Sequence, residues 1–439
     1  MLCSVLGQSS LTDRPWVDKH IVILHHMPNT GILRCPFPQI RRNNMTRNSL
    51  HSKPIDQLTG FEVLENFKNF DQRDEIYCRS QWDPEVKSDK AAAFFRGYFM
   101  PDARSRRSDG FSQRDYALRN AAWHVTNVLR DINREETGRK EGFFDHFTSH
   151  EEGWPEPYAF ESAEQATSDV SKVAKLCGAD LFGVCAYDER WMYSGIFDER
   201  AQASKPLDIP DDLPHVIVVG ESMDVDLTKT VPSALSGSAT GLGYSYDALT
   251  LLTLAQYIRN LGYRAYATMN DSSLGIPLAV QAGFGEVGRH SLLITEEYGP
   301  RLRLGRIFTD IPLMHSEPKK FGVKAFCDIC NRCATGCPPK AIPFEEPSAE
   351  VYNRSNLIGV AKWTVDAEKC FKFWANQNTD CSICIRVCPY NRDYSKWHHR
   401  GWRKLAGGPL RRLALWLDDR FVDRGRHKST WWWQKIYSK

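Results

Sequence analysis

Eight of the chain's 13 cysteines fall between Cys327 and Cys388, and this crowding constrains the fold more than any other feature of the 439 residues. Cys327, Cys330, Cys333 and Cys337 are spaced C-x2-C-x2-C-x3-C and are followed by Pro338. Cys370, Cys381, Cys384 and Cys388 keep the C-x2-C-x3-C ending and its proline, Pro389, but put ten residues between the first two. The other five (Cys3, Cys35, Cys78, Cys177, Cys185) are scattered, too sparse for a disulfide scaffold. Thiolates are soft ligands, and two-residue gaps let a tight loop point three sulfurs at one face of an iron–sulfur cube. In paired-cluster proteins the fourth cysteine of a run serves the other cluster. The spacing therefore assigns one 4Fe-4S cluster to Cys327, Cys330, Cys333 and Cys388. The second takes Cys370, Cys381, Cys384 and Cys337, and each fourth cysteine is expected to begin a helix-like segment. A pair of zinc sites is the alternative. Two adjacent clusters form a wire for single electrons, so the rest of the chain should house something to be reduced.

The remainder reads as globular protein. The apolar share is 42% and the charged share 25%, and no run of 18 uncharged apolar residues offers a transmembrane segment. Lys and Arg number 57 against 54 Asp and Glu, which gives no overall excess for nucleic acid. The N-terminus lacks a charged-then-apolar export signal. Arg41-Arg42 is followed by a polar run where a twin-arginine signal needs an apolar one. The expected location is cytoplasmic.

Five regions follow along the chain. Residues 1–50 show no periodicity and read as irregular. Residues 51–160 are rich in aromatics (Phe61, Phe67, Phe70, Trp82, Phe94, Phe95, Tyr98, Phe99, Trp123, Phe143, Phe144, Phe147), read as core more than as pocket wall, with a helix over 114–133. Residues 161–315 form an α+β or α/β sandwich. Helices are expected at Ala163–Cys177 and Tyr246–Leu261, stopped by Gly178 and Gly262, and at Ile276–Ala282, capped by Ser272 or Ser273. Strands are expected at Asp180–Tyr187, His215–Val219, Tyr263–Thr268, Leu292–Thr295 and Leu302–Phe308. Residues 316–394 hold the cysteines. Residues 395–439 carry 12 Lys and Arg against 3 Asp and Glu, a net +9 that leaves the rest of the chain at −6. With Trp397, Trp402, Trp416 and Trp431-Trp432-Trp433, this tail either docks on an acidic partner, nucleic acid or membrane, or packs back through Trp416 and Leu413.

Gly283, Gly285 and Gly288 match G-x-G-x-x-G, but a helix precedes them and a strand follows, the reverse of a dinucleotide site. They are expected instead to let backbone pass close to a large flat ligand, as cofactor-binding positions.

The combination resembles the corrinoid-dependent reductive dehalogenases. The resemblance runs from Gly243 to Pro389 through GYSYDALT (243–250), Asn270-Asp271, IPLAVQAGFGEVGRHSLLIT (276–295), GPRLRLGRIFTDIPL (299–313) and both cysteine runs. It is weaker upstream, in FDQRDEIYCR (70–79) and RDYALRNAAW (114–123). It implies a nitroreductase-like, cobalamin-binding α/β core fused to a bacterial ferredoxin-like domain with two 4Fe-4S clusters. It also implies base-off cobalamin held by backbone and shape. In keeping with that, Asp18-Lys19-His20 begins a D-x-H-x-x-G corrinoid motif, but Ile23 stands at its glycine. By the same resemblance Tyr244 is the proton donor, Asn270 fixes the substrate beside it, and Arg303 supports the tyrosine.

That assignment makes chemical sense. Reductive dehalogenation consumes two electrons and a proton and expels halide. A phenol, with a pKa near 10, keeps its proton at neutral pH until a carbanion-like centre forms, and a guanidinium stabilises the phenolate left behind. Tyr246 could replace Tyr244, and Arg301 or Arg306 could replace Arg303. Asn270 could merely end a turn. Trp374 could cap a pocket or sit in the core. The expected partners are a small organohalide and an external low-potential donor of ferredoxin or flavodoxin type, with no nucleic acid. Epoxyqueuosine reductases share the core and the doubled motif but act on tRNA, and they use an acidic residue for proton transfer. A non-catalytic electron carrier is the alternative of another class.

Overall fold

In the computed structural model, which describes residues 61–98, 108–139, 142 and 154–435, a short strand (Glu62–Val63) and a 3-10 turn (Gln72–Asp74) precede two short helices. They are α1 (Ile76–Trp82) and α2 (Asp89–Arg96). The long α3 (Gln113–Thr137) starts at a Ser112–Asp115 capping box and stops at Gly138, whose φ is +76°. Residues 1–50, with Cys3, Cys35, the Asp18-Lys19-His20 segment and Arg41-Arg42, lie outside the described residues. So do Phe99, Phe143, Phe144 and Phe147.

The core is a four-stranded antiparallel sheet. Its strands are β1 (Leu181–Ala186), β2 (His215–Ser222), β3 (Ala265–Thr268) and β6 (Leu302–Thr309), in spatial order β1-β2-β6-β3. A small hairpin, β4 (Gly285–Val287) with β5 (Leu293–Thr295), lies apart from it. Successive strand residues face opposite ways. Ile217, Val219 and Ile307 thus join one apolar layer with helices α4 (Ala163–Cys177) and α5 (Ala234–Asn260). Val216, Val218 and Phe308 join the other, with Trp191 and helix α6 (Gly275–Gln281). Leu251, Leu254 and Ile258 on α5 are fully buried, and truncating any one to alanine would cost about 2–5 kcal/mol. The helix that carries Tyr244 is therefore firmly seated.

Two expectations need correction. Helix α5 begins at Ala234, not Tyr246, so the GYS segment is mid-helix. Its first half (ALSGSATGLGYS) is rich in glycine and serine, poor helix formers that hide the helix from a propensity reading. Helix α6 is capped by neither serine. Leu274 is its N-cap with no side-chain bond, and Ser272 and Ser273 are buried.

Beyond the sheet, α7 (Val323–Cys327) and the one-turn α8 (Arg332–Gly336) carry the first cysteine run, and α9 (Ala367–Gln377) and the one-turn α10 (Ile383–Val387) the second. Cys337 and Cys388 follow α8 and α10 as C-caps, so the fourth cysteine ends a helical turn rather than beginning one. The proline after it explains this, because the residue before a proline is pushed to extended backbone. The C-terminal region folds back as α11 (Trp397–Gly407), α12 (Arg411–Phe421) and α13 (Ser429–Gln434). It packs through Trp402, Ala406 and Ala414, not through Trp416 and Leu413, which are 56% and 43% exposed. No helix among the described residues is long and apolar enough to cross a membrane.

Candidate active site

Tyr244 sits on the face of α5 that meets the end of the sheet. Its phenol oxygen accepts a hydrogen bond from Asn270 Nδ2 at 2.7 Å and a longer one from Arg303 Nη1 at 3.5 Å. The guanidinium carbon of Arg303 lies 5.3 Å from the Tyr244 ring centre, and the Trp123 ring packs on Tyr244 at 5.1 Å. Two donors therefore converge on the oxygen while the hydroxyl proton stays free to point elsewhere. Tyr246, two residues on, is 54% exposed. Arg301 is buried and occupied, bonding Asn391 Oδ1 at 2.7 Å and the carbonyls of Met223 and Arg392. Arg306 is buried near Asp247 and Asp271 on the α6 side.

The glycines of α5 make this crossing possible. A Cβ on Gly243 would lie 2.7 Å from Arg303 Cγ, and one on Gly241 would lie 2.5 Å from Trp123 Cδ1. One turn beyond Tyr244, Asp247 is wholly buried and neither carboxyl oxygen has a hydrogen-bond partner among the described residues. Burial pushes its carboxyl up to about 7, against the pull of Arg306 and Arg303. Glu221, in register with Arg303, is likewise pushed up to about 8 by burial, while Thr250 donates a hydrogen bond to it.

Two cavities flank the tyrosine. The first, about 440 Å³, lies between the sheet region and residues 355–367, with Tyr193, Ser273, Leu292, Arg306 and Lys362 in its wall. The second, about 150 Å³, is walled by Tyr77, Phe94, Phe95, Tyr98, Trp123 and Trp374. Three residues line both: Tyr244, Asn270 and Arg303. Trp374 serves both readings made of it, since it walls the second cavity and packs 5.9 Å from Tyr77. The aromatics of 61–98 divide in the same way. Phe94, for instance, is in the core and at the cavity wall at once.

The cysteines gather as two crossed quartets. Cys327, Cys330, Cys333 and Cys388 line one small space with Arg289, His290, Phe326 and Tyr390. Cys381 and Cys337 act electrostatically on Cys370, and Cys381, Cys370 and Cys337 act likewise on Cys384, so these four sulfurs lie together. Cys384 also feels Cys333, so the two groups are neighbours. Helices α8 and α10 make the crossing by packing together, with Gly336 against Val387. Burial pushes the Cys333 and Cys370 thiols up to about 12 and the Cys381 thiol up to about 11. Such sulfurs become thiolates only when a metal takes the place of the proton. Among the described residues no three His, Cys, Asp or Glu groups close on a single ion. A cube is wider than one ion and suits quartets set around a space. Buried Arg289 ties this region to the hairpin through the carbonyls of Cys327, Pro343, Phe344 and Glu345.

Gly283, Gly285 and Gly288 line neither cavity beside Tyr244. Gly283 and Gly285 have φ of +81° and +155°, and their missing side chains make room for the protein's own Glu317 and Ile294 carbonyls. A Cβ on Gly288 would meet Ile294. The expectation that they clear space for a ligand is corrected: Gly283 and Gly285 let the chain's own carbonyls approach at the entry to β4, and Gly288 begins the turn after it. Sequence reading missed Asp247 and Lys362. Nothing local in the sequence marks Lys362, whereas Asp247 stands three residues after Tyr244, one helical turn away.

Comparison with known proteins follows this geometry. Residues 193–313 match the family described as the reductive dehalogenase subunit, and residues 326–391 match the 4Fe-4S double cluster binding domain. The tetrachloroethene reductive dehalogenase of Desulfitobacterium hafniense is 35% identical over 294 residues, covering 58% of this chain and 53% of that protein. The chain thus spans about half the length of that relative. An epoxyqueuosine reductase from Aliivibrio fischeri is 28% identical over 293 residues, covering 59% of this chain and 76% of that protein. A solved catabolic reductive dehalogenase shares the fold, with a TM-score of 0.65 over 85% of this chain and 50% of that one, at 20% identity. The core segment is thus similar to the reductive dehalogenase subunit, and the cysteine-rich segment to 4Fe-4S double cluster binding domains.

Proposed function

We propose that the protein reductively dehalogenates a small organohalide, with a corrinoid seated in the first cavity, the substrate in the second, and Tyr244 as proton donor. The observation that carries this reading is the shared wall: Tyr244, Asn270 and Arg303 line both cavities, so they would face a cofactor and a substrate at once.

The first cavity fits a large amide-bearing cofactor. Ser273 Oγ and the Nε and Nη2 atoms of Arg306 are buried there with no hydrogen-bond partner among the described residues. Phe61, Val287 and Lys362 also line an adjoining cavity of about 1330 Å³, which extends the space. Burial alone pushes the Lys362 ammonium down to about 8. A cation so desolvated would gain from an anionic group such as the phosphate of a cobalamin nucleotide tail. When bound, a reduced cobalt corrin supplies the electrons that a carbon–halogen bond accepts as it breaks.

The side chains of this protein do the rest. The aromatic walls of the second cavity exclude water and hold an apolar ligand. Tyr244 gives its proton to the carbon that the halide leaves. Asn270 and Arg303, already donating to the phenol oxygen, stabilise the phenolate. Per turnover, one carbon–halogen bond breaks, one carbon–hydrogen bond forms, two electrons and one proton enter, and halide leaves. The electrons pass singly through the two clusters from an external low-potential donor of ferredoxin or flavodoxin type. A pure electron carrier would have no use for a tyrosine between two cavities.

The test is anaerobic reconstitution with iron, sulfide and cobalamin, followed by halide release from a panel of organohalides. Tyr244→Phe should bind corrinoid and substrate normally and lose about 10²–10⁴-fold in kcat. Full turnover by that variant would overturn the proton-donor role. Failure to bind any corrinoid would overturn the reading as a whole.

A further inference from the structure

The two cysteine quartets occupy different surroundings. Cys370 neighbours Tyr77 and Trp374, both in the wall of the second cavity. That quartet is therefore the one beside the reaction space. The other quartet lies under the C-terminal helices: Cys327, Cys330 and Cys388 share one apolar cluster with Trp402 and Ala406 of α11 and Ala414 of α12. The charged groups next to Cys330 are Arg332, Asp418 and Arg424. Ala414 and Asp418, one turn apart and buried, form the inner face of α12, so its outer face stands about 10 Å farther out, one helix diameter.

That outer face has a definite character. Arg412, Trp416 and Arg420 recur every four residues and make one exposed stripe. Leu413 and Phe421 flank it. Phe421 is 71% exposed and stacks edge-on against Trp416 at 6.1 Å. The acids of the helix do not offset its charge on this side. Asp418 is turned inward and bonded to Arg392 and Arg424, and Asp419 is taken by Arg332. An apolar aromatic centre with arginines around it has the composition of a protein-binding hot spot.

Resting on the electron path read above, we propose that the outer face of α12 is the docking surface for the electron donor, an acidic one-electron carrier protein. On this assignment electrons enter at the Cys327/Cys330/Cys333/Cys388 cluster. The positive stripe supplies steering toward an acidic partner, and Trp416 and Phe421 supply the dry contact. An anionic membrane would also attract such a surface, but a bilayer brings no electron to the cluster beneath it.

The experiment uses the full-length protein with both clusters reconstituted, and no organohalide. Cluster reduction is followed by stopped-flow absorbance, first with a photoreduced acidic bacterial ferredoxin and then with reduced methyl viologen. The double variant Arg412→Glu/Arg420→Glu should accept electrons from ferredoxin at least about tenfold more slowly at low ionic strength, and the gap should close in high salt. Its viologen rate should match wild type, which shows that the clusters are intact. Trp416→Ala/Phe421→Ala should slow ferredoxin at every salt concentration. Equal ferredoxin rates in all three proteins would overturn the proposal. So would unchanged ferredoxin rates together with lost binding to phosphatidylglycerol vesicles, which would mark the face as a membrane surface. Because no halide is measured, failure here is separate from failure of the dehalogenation reading.

Discussion

Gly243→Ala pits two effects of known sign against each other at the site. Alanine is favoured over glycine in a helix interior by about 0.8–1.0 kcal/mol. Against this, the new Cβ would lie 2.7 Å from Arg303 Cγ, 3.6 Å from its Cβ and 3.8 Å from its Cδ. The strand holding Arg303 is fixed by register with Glu221, so the side chain must rotate instead, at about 0.5–1.5 kcal/mol for an off-rotamer angle. These nearly cancel, and the unfolding midpoint in urea should barely move. Activity should not be spared. The Arg303 guanidinium is 3.5 Å from the Tyr244 oxygen, at the edge of bonding, and rotation takes it out of reach. A hydrogen bond from a charged donor to the developing phenolate is worth about 1.5–3 kcal/mol, so kcat for halide release should fall roughly tenfold to a hundredfold with KM little changed. Gly241→Ala provides the contrast. Its Cβ would meet the rigid indole of Trp123 at 2.5 Å, and overpacking of about 1–3 kcal/mol should outweigh the helix gain. If Gly243→Ala keeps wild-type kcat, Arg303 does not act through Tyr244 and the reasoning fails.

The remaining predictions concern ligands and pH. Cys388→Ser, although in the second cysteine run, should remove the cluster of the first, leaving one EPR-active cluster in the reconstituted protein; loss of the other cluster instead would refute the crossed assignment. Lys362→Met should weaken cobalamin binding, followed by absorbance, while leaving cobinamide, which lacks the nucleotide phosphate, bound as before; equal loss for both would mean the lysine does not read the phosphate. Asp247 and Glu221 are pushed by burial above the ordinary carboxylate range, to about 7 and about 8, so the native state holds protons that the unfolded chain releases. Stability should therefore be greatest below about pH 4 as far as these groups are concerned, and fall as pH rises toward 7 and 8, by up to about 1.4 kcal/mol per pH unit and group. Asp247→Asn should flatten the part of this slope below pH 7 in urea titrations at several pH values; an unchanged slope would show that Asp247 is ionised in the fold.

How much of this was legible in sequence varied with how local the cause was. Thiol spacing is local, and both quartets gather as their spacing demanded. The strands at His215 and Leu302 were legible because burial on both faces leaves continuous apolar runs. The start of α5 was not, because Gly237, Gly241 and Gly243 weaken the helical pattern where Arg119, Trp123 and Arg303 press closest. Those contacts come from elements far away in the chain, and no window around 234–245 contains them. The G-x-G-x-x-G run misled for a related reason. Its glycines answer to carbonyls at 294 and 317, and sequence alone cannot tell a carbonyl of the chain from the edge of a ligand. Tyr244, Asn270 and Arg303 were named through motif resemblance. Periodicity could not have joined them, since they stand on α5, after β3 and on β6.

Among the three arginines at the start of β6, availability decides which can serve the tyrosine. All three lie within six residues, so proximity in sequence does not separate them. Arg301 spends its donors on Asn391 and two carbonyls, which joins the sheet to the cluster region and leaves little to offer a transient anion. Arg306 points to the α6 face, where Gly275 makes room for it, its Nη1 bonds the Leu304 carbonyl at 3.2 Å, and Asp247 and Asp271 stand near. Among the described residues Arg303 bonds only its neighbour's carbonyl at 3.1 Å and, at 3.5 Å, the Tyr244 oxygen. A guanidinium has five donors, so most of the capacity of Arg303 is uncommitted. Arg303 is half-buried, so contact with solvent and with the Tyr244 ring, 5.3 Å from its guanidinium carbon, offsets the cost of leaving it so loosely held. On the proposed proton-donor role of Tyr244, this arrangement would keep a strong donor aimed at the phenol and weakly engaged before reaction, so that its bond would shorten and strengthen as negative charge develops on the oxygen and would lower the barrier rather than the ground state.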